Sequence, residues 1–351
     1  MTLLTHTPGP YKDVPRFSLP VVSEKTLKHV VLLHRHGDRM SVQDCGLTLK
    51  SSDGHVYVPG ELTDRGKSQL QYLGTVFRTY LSHYKPYFND LNPKTVKVRS
   101  TFIERAVMSA WSFLSTFLDE TMTPDSFEVR KDSEENLLPG CSKMLDGYLE
   151  ENRKKCDVAF LQNPKIVDLY QRYCRVYGLS YEEKEYSTAV ITMCDTLNLY
   201  MCNECPLKVN EKGEALNQED LAFSDKIGVL WFHYLVGLES TIAKFTNGFV
   251  GDILYDVQKS MFGTPKNDYI FHEYSSHDIT LYMFLALLGY ETDKWIPLAS
   301  YIIIEFFEEK DKTLSVRFSY NSEVLKLKCA NGNDFCGWET FKKYIENEIS
   351  L

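Results

Sequence analysis

The chain predicts an α/β fold: a Rossmann-like mixed sheet flanked by helices, with an inserted, mainly helical cap. Three observations predict it. Short apolar runs that read as buried strands alternate with amphipathic helical periods at both ends of the chain. Past an acidic, turn-rich stretch from Asp119 to Pro139, strand signals become scarce and helical periods predominate from Cys141 to about Leu221. Past residue 300 the pattern changes to period-two alternation, which marks antiparallel strands.

The elements follow in order. The first twenty residues, with Pro8, Pro10, Pro15 and Pro20, read as an extended arm. Lys28 to His34 carries the run Val30-Val31-Leu32-Leu33, a strand buried on both faces. Met40 to Pro59 is a loop turning at Asp53-Gly54. Thr63 caps a helix to about Leu81, with Leu70, Leu73, Val76, Phe77 and Leu81 at near-helical spacing. Val96-Lys97-Val98 is a second strand, and Thr101 to Leu118 a second helix, buried along Ala106, Ala110, Phe113 and Phe117.

Residues 119–221 form the expected cap. Its clearest helices are Pro164 to Tyr177, with Asn163 as N-cap and Gly178 as stop, and Glu183 to Met201. Residues 1–118 and 222–351 form the discontinuous core. Phe223 to Phe245 predicts a long helix ending near Asn247-Gly248, and Gly248 to Met261 another. Tyr269-Ile270-Phe271 is a third strand-like run, followed by an apolar helix, Ile279 to Leu288, stopped by Gly289. Tyr301 to Phe307, Leu314 to Tyr320 and Val324 to Lys328 are strands, the last two joined by Asn321-Ser322 as a tight hairpin. No internal repeat or low-complexity segment interrupts this order.

Length and composition limit the function classes. The 351 residues suffice for one large domain or two unequal ones, and 43% hydrophobic with 25% charged residues is ordinary for a globular protein. A net charge of −9, with no basic run, argues against nucleic-acid partners. No apolar stretch approaches the ~20 residues of a membrane span. An anionic substrate must therefore be drawn by a local positive pocket.

Arg35-His36-Gly37-Asp38-Arg39, directly after the first strand, offers that pocket. Arginine grips phosphate with a planar fork. A histidine between two cations tends to be neutral and can attack through its lone pair. Val98-Arg99-Ser100-Thr101 ends the second strand, and Tyr274-Ser275-Ser276-His277-Asp278 follows the third. All three motifs fall at strand ends, where open α/β sheets bind ligands.

Together, in this order, the motifs resemble the histidine acid phosphatase family, the branch of the histidine phosphatase superfamily that pairs R-H-G-x-R with a distant H-D. Gly60-Glu61-Leu62-Thr63 with Gly66, and Asn247-Gly248-Phe249 with Asp252-Ile253-Leu254, extend the resemblance. It implies an acid phosphatase that hydrolyses phosphomonoesters, including phosphopeptides, through a phosphohistidine at His36. Arg35, Arg39, Arg99 and His277 would hold the phosphate, and Asp278 would protonate the leaving oxygen. No metal or cofactor is called for, since arginines supply the positive charge. Protonation of a carboxyl whose ordinary pKa is about 3.9 places the expected optimum at roughly pH 4–6. The resemblance further implies a secreted, lysosomal or vacuolar mature form, and a possible homodimer; the absence of a signal-peptide core and of any Asn-x-Ser/Thr acceptor leaves a cytoplasmic setting as the alternative. Of nine cysteines, Cys329 and Cys336 flank a short polar loop, and the resemblance implies a disulfide there. Cys194, Cys202 and Cys205 lack the fourth ligand of a zinc site and read as buried thiols or disulfide partners.

Other assignments compete. His34-Arg35-His36 is an H-x-H that could seed a metal-dependent hydrolase, although later-strand ligands and eight regular βα units are not visible. A catalytically silent binding protein on the same fold is a second alternative. Arg105 reads as a structural residue of the second helix, Asp38 as local support, and His34 as a packed histidine.

Overall fold

In the computed structural model, residues 20, 23–42, 48–138, 146–203, 205–236, 239–262, 268–290, 292–321 and 323–349 are described. Residues 1–19 of the N-terminal arm, Cys45, Cys141 and Ser322 of the expected hairpin lie outside them.

Among the described residues, eight strands form one mixed sheet. Strand β1 (Thr26–Arg35) lies at its centre because its run of apolar side chains is buried on both faces. Strand β4 (Phe271–Ser276) pairs parallel to β1 on one side, and β2 (Val96–Ser100) and β3 (Glu128–Val129) follow outward, also parallel. On the other side β5 (Tyr301–Glu308) runs antiparallel to β1, followed by β6 (Leu314–Tyr320) with β7 (Glu323–Val324) and β8 (Cys336–Gly337). The third motif begins inside β4, so that strand extends beyond the expected Tyr269–Phe271 run.

Each face of the sheet carries a core. Val30, Leu32 and Phe271 pack with Leu70, Leu73 and Phe77 of α1 (Asp64–Leu81) and Phe113 and Phe117 of α2 (Glu104–Phe117). Thr63 caps α1 as expected, its Oγ1 accepting from the Gly66 N–H at 3.1 Å. Val31 and Leu33 face the opposite way, into a core shared with α8 (Asp278–Leu287), α9 (Trp338–Ile349) and the helical segment. That segment comprises α3 (Asp146–Leu161), α4 (Pro164–Tyr177) and α5 (Tyr186–Cys202). Helix α4 has the expected boundaries: Asn163 accepts from the N–H groups of Lys165 and Ile166, and Gly178 at φ 72° closes it.

Two expectations change. Helix α6 (Gln218–Val236) ends before residues 237–238, and α7 (Glu239–Phe262) runs through the expected break at Asn247-Gly248. Gly248 lies inside this helix, with the Asn136 amide 3.4 Å from the position a Cβ would take. A helix tolerates such a glycine at a cost of about 1 kcal/mol. Cys329 and Cys336 are both thiols, so the expected bond between them is not formed. Their loop is closed by turn bonds such as Ala330 N–H to Leu327 C=O at 3.1 Å, and by the pairing of β8 with β6. Among the described residues, no helix is long and apolar enough to cross a membrane.

Candidate active site

Strand β1 and strand β4 end side by side, with Arg35 opposite Ser276 in register. The chain leaving β1 bends through Gly37 against the start of α1. A Cβ on Gly37 would lie 2.4 Å from the Gly66 carbonyl oxygen, and one on Gly66 would lie 2.1 Å from that of Asp38. Only two glycines allow this approach. Asp38 locks the bend: its carboxylate accepts from the Thr63 hydroxyl at 2.6 Å and the Asn203 amide at 3.2 Å. Burial raises the Asp38 pKa despite these donors.

His36 is 2% exposed. Its Nδ1 lies 2.9 Å from the Gly37 carbonyl oxygen, which can only accept, so Nδ1 carries the proton and Nε2 keeps its lone pair. Burial, followed by the charges of Arg105, Arg35 and Arg39, holds His36 well below the ordinary imidazole range. His277 stands edge-on to it, ring centroids 5.4 Å apart, and pairs through Nε2 with the Thr101 hydroxyl at 3.0 Å. Burial and Arg105 depress His277 as well.

Asp278 opens α8, a helix start that favours an anion. Its Oδ2 receives Arg35 Nη2 at 2.7 Å and the Trp295 indole N–H at 3.1 Å, and its Oδ1 receives the Ile279 N–H at 2.8 Å. Burial acts to raise its pKa, but Arg35, the indole and His277 outweigh it, and the carboxyl is net lowered. Arg39 Nη2 donates to both oxygens of Asp195, on α5, at 3.0 and 2.9 Å.

Of the expected residues, Arg35, His36, Arg39, His277 and Asp278 come together here, and Arg99 does not. Alternation along β2 turns Arg99 toward α7, where it meets Asp252 at 2.9 Å, Glu135 at 3.5 Å and the Asn136 amide oxygen. It is 1% exposed inside that acidic cluster. Arg99 is thus engaged with Asp252, Glu135 and Asn136 and stands apart from the other expected residues.

Arg105 stands among these groups instead. This residue, read as structural, sits in the first turn of α2 and acts on His36, His277, Arg35, Arg39, Asp195 and Asp278. It makes no ion pair among the described residues, and its Nε is buried without a hydrogen-bond partner. Burial and then Arg39 push its pKa down to about 9. Asp195 is the second residue missed. The available signal for Arg105 was its place one turn into a helix beyond a strand end; Asp195 had none, since its helix is distant in sequence.

His34 points away from the pocket, committing Nε2 to Glu273 at 2.9 Å and Nδ1 to the Arg35 carbonyl at 3.1 Å. The H-x-H pair therefore does not converge, which removes the basis for the metal-dependent alternative.

Known proteins resemble this chain. A lysosomal acid phosphatase of Xenopus laevis is 24% identical over 322 residues, covering 87% of this chain and 72% of that protein. The Bos taurus lysosomal acid phosphatase is 23% identical, covering 87% and 73%. Among solved structures, a phytase of Hafnia alvei superposes with a TM-score of 0.71 at 13% identity over 94% of this chain and 98% of its own. A Citrobacter braakii phytase gives 0.69 at 15% identity, over 92% and 98%. The family model of the histidine phosphatase superfamily, branch 2, matches residues 26–211, more than half of the chain. With its paired strand ends, R-H-G-x-R bend and H-D helix start, the chain belongs to branch 2 of the histidine phosphatase superfamily.

Proposed function

We propose that the protein is an acid phosphatase that hydrolyses phosphomonoesters through a phosphohistidine at His36. The observation that carries this is Arg105: a half-buried guanidinium without an ion-pair partner among the described residues, beside a neutral histidine with a free Nε2. An uncompensated cation in that position matches an incoming phosphate.

In the first step His36 Nε2 attacks phosphorus, and the bond to the leaving oxygen breaks. Arg35, Arg39 and Arg105 hold the non-bridging oxygens, where charge spreads in the transition state. His277 supplies a further donor. Asp278 gives its proton to the leaving oxygen. In the second step water attacks the phosphohistidine, Asp278 takes a proton from that water, and the N–P bond breaks to free His36 and phosphate. Residues 119–221 act as the cap, and α5 contributes Asp195 to orient Arg39. An acidic working range suits the lysosomal setting for which the vertebrate relatives are named.

His36→Ala is expected to lose turnover of p-nitrophenyl phosphate at every pH. Rapid quench of the unmodified enzyme with labelled substrate should trap an acid-labile, base-stable phosphoenzyme. Retained turnover in the variant would sink the mechanism. Failure of the unmodified protein to hydrolyse any phosphomonoester between pH 3 and 9 would revive the silent binding protein.

A further inference from the structure

The proposed mechanism uses Asp278 but leaves unexplained how its carboxyl stays in place. In the free protein its strongest partner is Arg35, on Oδ2 at 2.7 Å. Arg35 must turn to the phosphate when substrate arrives, so that contact is lost when the acid is needed. The second donor on Oδ2, the Trp295 indole N–H at 3.1 Å, is neutral and has no role on the phosphate.

Trp295 is anchored for such a task. It is 3% exposed, in the segment between α8 and β5. Phe232 of α6 meets its ring edge-on, centroids 6.1 Å apart. Gly228, one turn earlier, leaves room for the indole: a Cβ there would lie 2.2 Å from its six-membered ring. The Trp295 backbone N–H donates to Asp225 Oδ1 at 3.3 Å. The next residue holds the other partner, since Arg35 Nη1 donates to the Ile296 carbonyl. The segment then laces onto the end of β1, with Arg35 N–H to the Ser300 carbonyl at 2.8 Å and Ala299 N–H to the His36 carbonyl at 3.0 Å. One short stretch thus fixes both members of the Arg35–Asp278 pair.

We propose that Trp295 is the positioning residue for the leaving-group acid: its indole N–H keeps the Asp278 carboxyl aimed while Arg35 transfers from that carboxyl to the substrate phosphate. The inference rests on the proposed role of Asp278. The groups facing that carboxyl are Arg35 from β1, Arg105 from α2, His277 beside it, and the N–H groups of Trp295 and Ile279. Removing Arg35 from this set leaves Trp295 as the side-chain hydrogen bond that does not change partner. Because that bond favours the ionised carboxylate, its loss raises the Asp278 pKa.

The test is Trp295→Phe, which keeps the ring and deletes the N–H. The parameter kcat/KM covers the steps through expulsion of the leaving group, so it is compared for glycerol 2-phosphate, a poor leaving group, and p-nitrophenyl phosphate, a good one. A drop of roughly tenfold is expected for the first and less than about threefold for the second, a fraction of the 10²–10⁴ that a positioned acid contributes. The alkaline limb of the glycerol 2-phosphate profile moves to higher pH, and inhibition by inorganic phosphate stays unchanged. Equal losses on both substrates, or no loss, overturn the proposal. Gly228→Ala, which pushes on the indole without removing it, should show the same substrate bias and serves if the first variant does not fold. Asp278→Asn is run in parallel. If it discriminates between the substrates and Trp295→Phe does not, only the role of Trp295 fails; if neither discriminates, the assignment of Asp278 as acid fails with it.

Discussion

Arg99 and Arg105 lie six residues apart, and side-chain direction separates their roles. Arg99 is on a strand, so its parity fixes which face it meets, and that face carries Asp252 and Glu135. Arg105 is on the first turn of α2, beyond the strand end, among the groups of the pocket. Their variants should therefore fail differently. Arg105→Ala is expected to fold normally and lose about 10²–10³ in kcat/KM, the scale for removing one donor to a developing oxyanion. Arg99→Ala leaves Glu135 buried without its cation and should cost about 3–5 kcal/mol of stability, read by urea unfolding. A stable, inactive Arg99→Ala beside a fully active Arg105→Ala would reverse the assignment. Neither difference could be read from residue type, because both arginines follow the same short apolar run.

At the scale of elements, the Arg35–Arg39 bend depends on the start of α1. Gly37 and Gly66 bring two backbone segments together more closely than any side chain permits. Gly66→Ala would place a methyl 2.1 Å from the Asp38 carbonyl oxygen, with a second obstruction at the Leu62 side chain. The expected result is a loss of about 1–3 kcal/mol by overpacking, seen as a lower Tm, together with reduced kcat because Arg35, His36 and Arg39 shift. Unchanged Tm and kcat would show that the bend can relax. The glycines stand plainly in the sequence, and so does the helix cap at Thr63. Their contact does not, because it joins the end of a strand to a helix start about thirty residues on. The α6–α7 boundary differs for a related reason: Gly248 reads as a helix stop in isolation, yet a glycine inside a helix costs only about 1 kcal/mol and α7 runs through it.

The pH response of stability belongs to the whole molecule, because burial shifts acids and histidines spread across both cores. Asp38, Glu135, Asp225 and Glu273 are raised by burial, whereas His36, His272 and His277 are lowered by it. An acid raised in the folded state holds its proton after the unfolded chain has released it, so stability falls as pH rises between the two pKa values. A histidine lowered in the folded state acts in the opposite sense, and stability falls as pH drops below about 6.5. Asp225, raised to about 6, is a clean probe of the first set. Asp225→Asn should gain stability relative to the unmodified protein as pH rises from 4 to 6, by about 2 kcal/mol, and level off above. A gap that stays constant over that range would show that Asp225 titrates normally.

The alternation of apolar runs and helical periods determined the mixed sheet, since strands at the centre must be buried on both faces and the antiparallel edge strands alternate. The motifs R-H-G-x-R and H-D determined which strand ends meet at the site, because catalytic chemistry restricts residue types over a few positions. Tertiary structure alone decided the rest of the pocket. It turned Arg99 to an acidic cluster, placed Arg105 where its charge acts on His36, and brought Asp195 and Trp295 to Arg39 and Asp278 from distant segments. The physical reason is that local sequence fixes backbone period and residue chemistry, whereas the partner of a buried charge is chosen by which elements pack against it.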